Sequence, residues 1–317
     1  MTDRDPQKRE YRAFLDPVVL ARIQRLDLVA KSAVEGYISG LHRSPYHGFS
    51  AEFSEHRQYI VGDPIKHLDW KVFARTNRLY LKRFEDETNL HAYIVLDRSG
   101  TMGYGREVTK WDYARIVAAS IAYLLLRQRD SVGLALFDNT IHRFVPARSV
   151  SGHLDVILRE MGSTPAAEQT DPVACLHRLA ERVRRRGLII IISDFLLPTG
   201  TGVRPSDLVQ DMANRWNAVL KHFRHQGHDV TVFAVQHPDE IDFDFDGSVE
   251  FSGLESEQSI LVDTSSIAHL YREQFDRYMA LIDRSCRTER VDFHRLLTKD
   301  PLDIALAACL DKRRRIR

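Results

Sequence analysis

From residue 90 onward the chain alternates between short apolar runs and longer amphipathic stretches. Runs near 92–97, 132–137, 188–193, 230–235 and 291–296 are rich in β-branched residues and bounded by turn formers, which predicts strands buried on both faces. Helical periodicity near 109–128, 151–161, 171–186, 206–226 and 264–286 predicts the helices that accompany them. The alternation predicts an α/β domain, doubly wound around a largely parallel sheet, over residues 90–317 with helices at its C-terminal end.

Residues 1–89 read differently and are taken as a separate N-terminal region. Val19, Ile23, Leu26, Ala30, Ala33 and Tyr37 fall on one face of a helix predicted over 16–40 and closed by Gly40, a stripe suited to packing on the chain's own body. Residues 41–89 follow as a β-rich segment of short strands and turns, marked by Phe49, Phe53, Tyr59, Trp70, Phe73, Tyr80 and Phe84. Gly62, Asp63 and Pro64 predict a turn, and Asp69 is positioned to pair with Arg57 or Arg75.

Composition narrows the functional classes. With 317 residues and a formal charge of +1, nothing drives the whole chain toward nucleic acid or an anionic surface. The segment 41–83 holds eight Lys or Arg against four Asp or Glu, too small an excess to carry nucleic-acid binding on its aromatic residues. Cys175, Cys286 and Cys309 are odd in number and widely spaced, which suits reduced thiols and neither a disulfide framework nor a zinc site. The charged start lacks the apolar core of a signal peptide, and the most apolar helical stretch, 116–126, is far shorter than the ~20 residues that span a bilayer. These features lead to the expectation of a cytoplasmic protein with no transmembrane segment.

The chemistry gathers where the first strand ends. Asp97 closes the run Ile94, Val95, Leu96, and Ser99 and Thr101 follow at alternate positions. A carboxylate and two hydroxyls on one short loop are the hard oxygen donors that Mg²⁺ prefers, with Mn²⁺ as a substitute, and they leave positions for water or a partner's carboxylate. Taken singly, each residue would serve equally well as a helix cap or turn former. Catalytic signatures are missing: the chain has no phosphate-binding loop, no nucleophile elbow, no zinc-protease helix and no dinucleotide fingerprint. Residues 242–247 match half of a calcium loop, but Gly253 stands where the bidentate glutamate belongs, so an edge strand is expected there. Gly200, Gly202 and Pro205 predict a flexible loop over 198–206, and the basic run 312–315 reads as a solvated helix end.

The spacing D-x-S-x-T, with Thr101 where the pattern usually has serine, resembles the metal-ion-dependent adhesion site of von Willebrand factor A domains. That resemblance implies two further ligands, a threonine from a distant loop and an aspartate after a later strand. Thr170 fills the first place, since Asp171 and Pro172 open a helical pattern behind it, whereas its rival Thr164 is followed by Pro165 with no helix start. Asp194, after the run 188–193, fills the second. Across residues 36–312, the order of His42, Arg43, Ser44, then Glu52, Phe53, then Gly62, Asp63, Pro64, then Asp69, Trp70, Lys71, then Arg83 to Glu87 resembles the bacterial domain-of-unknown-function family numbered fifty-eight. The resemblance implies a non-catalytic interaction module that accompanies a MoxR-type AAA-plus ATPase in maturing or remodelling other proteins. The stretch Asp97 to Thr101 also approaches the D-x-D-G-T motif of haloacid-dehalogenase-like phosphotransferases, the alternative reading. Ser99 removes the second carboxylate, and a serine hydroxyl cannot act as general acid at neutral pH.

Overall fold

In a computed structural model of the chain, the described residues are 26–42, 90–162, 172–197, 207–255 and 259–316, together with 56–58, 73, 75 and 80–82. The chain divides into two compact units, one of residues 1–40 with 90–317 and one of residues 41–89. Helix α1 (Leu26–His42) buries Val29, Ala30, Ala33, Val34 and Tyr37, at three- and four-residue steps. It runs two residues past Gly40, because one glycine inside a helix costs only about 1 kcal/mol. Val19 and Ile23 lie outside the described residues. In the second unit, β1 (His56–Gln58) and β2 (Tyr80–Lys82) pair antiparallel with Arg57 opposite Leu81. The turn expected at 62–64 and the pairing expected of Asp69 lie outside the described residues.

The larger unit continues with β3 (His91–Asp97), α2 (Lys110–Arg127), β4 (Ser131–Phe137), β5 (Ile141–Arg148), α3 (His153–Gly162), α4 (Pro172–Arg182), β6 (Leu188–Ser193) and α5 (Leu208–His225). Then come β7 (Asp229–Gln236), α6 (Pro238–Asp242), β8 (Ser248–Ser252), β9 (Ser259–Asp263), α7 (Thr264–Thr288), β10 (Asp292–Leu297) and α8 (Asp303–Ile316). The central sheet has the order β10-β7-β6-β3-β4-β5, parallel throughout except for β5. Mixed α/β architecture with a largely parallel sheet is therefore the fold that the apolar runs predicted.

Side-chain alternation places one core on each face. Val95, Ala135, Ile191 and Val232 are in register across four strands and belong to the core that also holds Leu176, Trp216, Leu220, Tyr278 and Ile282 from α4, α5 and α7. Neighbouring positions Ile94, Leu134, Ile190 and Leu96 are equally buried, and helices α2 and α8 contact strands of the same sheet. Each such side chain contributes roughly 1.5–3 kcal/mol on leaving water. Gly187 allows β6 to begin close to β3: a β-carbon there would lie 2.1 Å from the His91 carbonyl oxygen.

Three parts departed from expectation. Strand β5 was not anticipated, since half of its residues are exposed and Pro146 interrupts the pattern; at a sheet edge, proline removes no needed hydrogen bond. The edge strand expected at 242–247 is absent: Asp242 ends α6, Phe243 adopts a left-handed conformation (φ 45°), and strand structure resumes only at Ser248. Phe243 stacks there against Phe251 and Tyr271, at ring distances of 5.7 and 4.3 Å. The basic C-terminal run is not a solvated helix end either, because Lys312 and Arg313 are buried. Arg313 pairs with Asp130, and Lys312 Nζ lies 3.2 Å from Asp292 and 3.6 Å from Asp229. Those aspartates stand at or just before the starts of β4, β7 and β10, so α8 closes the amino edge of the sheet.

Candidate functional site

The strand order sets the location. Strand β3 has β4 on one side and β6 on the other, so the connections leave it in opposite directions. A crevice opens at such a reversal, outside the carboxyl ends of the two strands. Asp97 is the last residue of β3 and Asp194 the first after β6, so both acids stand at the mouth of that crevice.

Asp97 is 1% exposed. One carboxylate oxygen, Oδ1, accepts the Ser99 backbone N–H at 2.8 Å, and Oδ2 accepts the Ser193 hydroxyl at 2.5 Å. Among the described residues no basic side chain forms an ion pair with it. Burial, reinforced by the negative charge of Asp194, pushes its pKa up to about 7, against the opposing pull of its hydrogen bonds from Ser193 and Ser99. The Ser99 and Thr101 hydroxyls lie 3.0 Å apart on the short 3₁₀ turn that follows, so two of the expected oxygen donors do converge beside the carboxylate loop. Arg98 turns away and pairs with Asp138 at 3.0 Å.

Asp194 is held on both oxygens. Oδ1 accepts the Leu196 N–H at 3.0 Å, and Oδ2 accepts Lys110 Nζ at 2.7 Å. The chain leaves Asp194 through Phe195 with φ 64°, a left-handed conformation that a bulky side chain adopts only when its surroundings enforce it. The surroundings here are specific. Phe195 N donates to Ser193 Oγ at 2.9 Å, its carbonyl accepts Trp216 Nε1 at 2.9 Å and the Tyr278 hydroxyl, and its ring packs 4.3 Å from that of Trp216. Thr170 and Thr164 lie outside the described residues, as does the loop 198–206.

Sequence reading missed Lys110 and Glu240. Lys110 is the first residue of α2 and completely buried, and its ammonium joins Asp194 to Glu240 Oε1, the latter at 2.5 Å. Thr109 caps the helix by accepting the Asp112 N–H at 3.0 Å, and that cap was the legible signal. A cation at the positive end of a helix dipole is unfavourable for the helix itself, so the two carboxylates offset its cost. Burial works to lower the Lys110 pKa, but attraction first to Asp194 and then to Glu240 outweighs it and keeps the amine protonated. Glu240 serves twice: Oε2 accepts the His237 N–H at 2.8 Å in the capping box of α6, while Oε1 meets Lys110. Burial raises its pKa, and Lys110 only partly opposes the shift. No sequence pattern links Glu240 to a motif more than 130 residues earlier.

The donor set fits a hard divalent cation in kind. Among the described residues no three His, Cys, Asp or Glu side chains converge as a metal cage, and His177 with His222 form only a hydrogen-bonded pair at 2.8 Å. The Asp97 loop instead combines a buried carboxylate, with no basic partner among the described residues, with two neighbouring hydroxyls, the environment that a small cation would relieve.

The family model described as "Protein of unknown function DUF58" matches residues 55–283. The chain belongs to the DUF58 family. Among curated relatives, the uncharacterized protein Rv1480 of Mycobacterium tuberculosis and the uncharacterized protein Mb1516 of Mycobacterium bovis are each 31% identical over 187 residues, 58% of this chain and 59% of theirs. The chain thus spans about six tenths of the length of these DUF58-like relatives. Uncharacterized protein YeaD of Bacillus subtilis is 27% identical over 118 residues, 37% of this chain and 27% of its own. Solved structures similar to the chain include an aerotolerance-related membrane protein from Bacteroides fragilis, with TM-score 0.47 and 16% identity, covering 71% of this chain and 99% of that one. The conserved hypothetical protein BatB from Bacteroides thetaiotaomicron follows with TM-score 0.44, 15% identity and coverage of 71% and 99%. The expectation of a cytoplasmic protein is corrected by this finding, since structures similar to the DUF58 chain include proteins described as membrane proteins. Among the described residues no helix is long and apolar enough to cross a membrane.

Proposed function

We propose that this DUF58 chain is a non-catalytic protein-interaction module whose domain of residues 90–317 carries a von Willebrand factor A-like, Mg²⁺-dependent adhesion site. Asp97, Ser99 and Thr101 would hold the cation, with Thr170 and Asp194 completing its surroundings. The observation that supports this most is the buried Asp97 carboxylate, which has hydroxyl and amide donors but no basic partner among the described residues. When bound, the metal supplies an electrophilic position for a carboxylate from another protein. The chain's own residues orient the donors, through the strained Phe195 turn on one side and the 3₁₀ turn on the other, and β3 and β6 fix the spacing of the two acids.

The partner implied by the family resemblance is a MoxR-type AAA-plus ATPase. Its association with this chain should need Mg²⁺ and fall on chelation. In calorimetry with a purified MoxR-type ATPase, Asp97→Ala should weaken binding at least tenfold without unfolding the chain. Equal affinity in chelator and in the variant would mean that the partner docks elsewhere.

A further inference from the structure

The charge of the chain is nearly balanced as a whole, but it is segregated along the fold. Residues 238–263, between the carboxyl end of β7 and the start of α7, hold nine Asp or Glu and no Lys or Arg. The opposite holds where helices hand over to strands, at turns that a parallel sheet gathers on its amino edge. Residues 127–130, 182–187, 224–228 and 287–291, with the end of α8 at 312–316, carry thirteen Lys or Arg against two Asp or Glu.

Part of this excess is structural. Lys312 and Arg313 form the ion pairs that close the edge, and Arg224 pairs with Asp229. The helix dipole favours a cation in a last turn, which accounts for Arg127, Arg182 and Arg287. Neither reason covers Arg184, Arg185 and Arg186 ahead of β6, which are exposed and form no ion pair among the described residues. Burial, and after it the Arg185 charge, hold the His91 imidazole at the start of β3 below its ordinary pKa, so the field of Arg185 reaches the neighbouring strand. Three of the turns are also equivalent in their backbone. The N–H groups of Asp130, His228 and Val291 donate to the carbonyls of Leu125, Phe223 and Cys286, and the residue before each donor has a positive φ: Arg129 (62°), Gly227 (83°) and Arg290 (56°). Glycine suits that position, and at Gly227 it leaves room for Arg186, whose Nε would lie 2.7 Å from a β-carbon there. At the other two turns an exposed arginine occupies the backbone site that penalises it, and strain kept at a surface position points to function.

We propose that the amino edge of the sheet is a docking surface for an anionic lipid bilayer, whose headgroup phosphates the arginines engage. From Arg290, before β10, to Arg129, before β4, the edge crosses five strands and roughly 20 Å, enough to meet several headgroups at once. Guanidinium groups suit phosphate oxygens because they donate in pairs. A planar array of phosphates fits this edge better than a nucleic acid does. The charges sit on turns and helix ends, not along a helix or ribbon that could enter a groove, and none of these turns holds Phe, Tyr or Trp for a base to stack on. Docked this way, the domain turns its carboxyl edge, with Asp97 and Asp194, away from the bilayer.

The test is co-sedimentation of the full chain with vesicles in chelator, so that no Mg²⁺-dependent contact contributes. The chain should bind phosphatidylcholine vesicles containing about one-third phosphatidylglycerol, bind pure phosphatidylcholine about tenfold or more weakly, and lose the difference between about 0.1 M and about 1 M salt. The triple variant Arg184→Ala, Arg185→Ala and Arg186→Ala should bind the anionic vesicles about a hundredfold more weakly. Lys299→Ala, which removes an exposed charge just past the carboxyl end of β10, should stay within roughly twofold of wild type. Arg290→Gly should weaken binding about fivefold while leaving the melting temperature unchanged or higher, a combination that a purely structural arginine would not give. Equal binding to both kinds of vesicle, or full binding by the triple variant, would overturn the proposal. So would displacement of the chain from anionic vesicles by a duplex oligonucleotide at a lower phosphate concentration than that of the lipid, which would assign the edge to nucleic acid.

Discussion

Asp97 shows how much a single carboxylate can report. Its ordinary value near 3.8 moves to about 7, first because burial penalises the charge and then because Asp194 stands close by. The folded chain therefore keeps a proton that the unfolded chain releases between about pH 4 and 7, so this group's contribution to stability declines as pH rises through that window and stays low above it. In chelator, Asp97→Asn should be more stable than wild type, and its advantage should be on the order of 2 kcal/mol larger at pH 8 than at pH 5, measured by urea unfolding. An advantage that is the same at both values would mean that Asp97 is not a raised acid. Saturating Mg²⁺ should shrink the difference at pH 8, because a bound cation compensates the same charge. The acid itself was legible in the sequence from its place after an apolar run. Its protonation was not, because that depends first on burial in the folded chain and then on a second acid 97 residues away.

Among the elements, α8 departs most from its sequence. Four consecutive basic residues read as a charged surface, but the helix turns two of them inward, where Arg313 meets Asp130 and Lys312 meets Asp229 and Asp292. Arg314 and Arg315 stay exposed. Asp130 is almost fully buried, so Arg313→Ala would strand its carboxylate and should destabilise the chain by about 3–5 kcal/mol in denaturant unfolding. Arg314→Ala should cost no more than about 0.5 kcal/mol. Equal effects of the two substitutions would show that the helix is not clamped through Arg313. The helices flanking the sheet were legible in outline because each pairs an apolar stripe with end signals. Thr109 ahead of α2 and Pro172 at the start of α4 are examples. Strand β5 and the β8–β9 hairpin escaped, since exposed edge strands carry no continuous apolar run.

For the molecule as a whole, the two edges of the sheet have separate duties. Ion pairs to α8 secure the amino edge, while the acids, the strained Phe195 and Lys110 gather at the carboxyl edge. If the carboxyl edge binds Mg²⁺, a hundredfold excess over the dissociation constant should stabilise the fold by about 2.7 kcal/mol. Melting curves should show that shift in wild type and lose it in Asp97→Ala. No metal-dependent hydrolysis of a generic phosphate ester should accompany it, since Ser99 provides no general acid; turnover lost in Asp97→Asn would restore the phosphotransferase alternative. By itself, the sequence determined the alternation of strands and helices, the parallel sheet and the position of Asp97, Ser99, Thr101 and Asp194 at strand ends, because local periodicity and end signals are properties of neighbouring residues. Only the tertiary structure decided that Lys110 and Glu240 enter the same crevice, that Phe195 takes a left-handed turn beside Asp194, and that Lys312 and Arg313 of the basic C-terminal helix are buried. Each of those depends on charges and packing surfaces brought together from distant parts of the chain, and a buried ion pair leaves no periodic trace in the residues on either side of it.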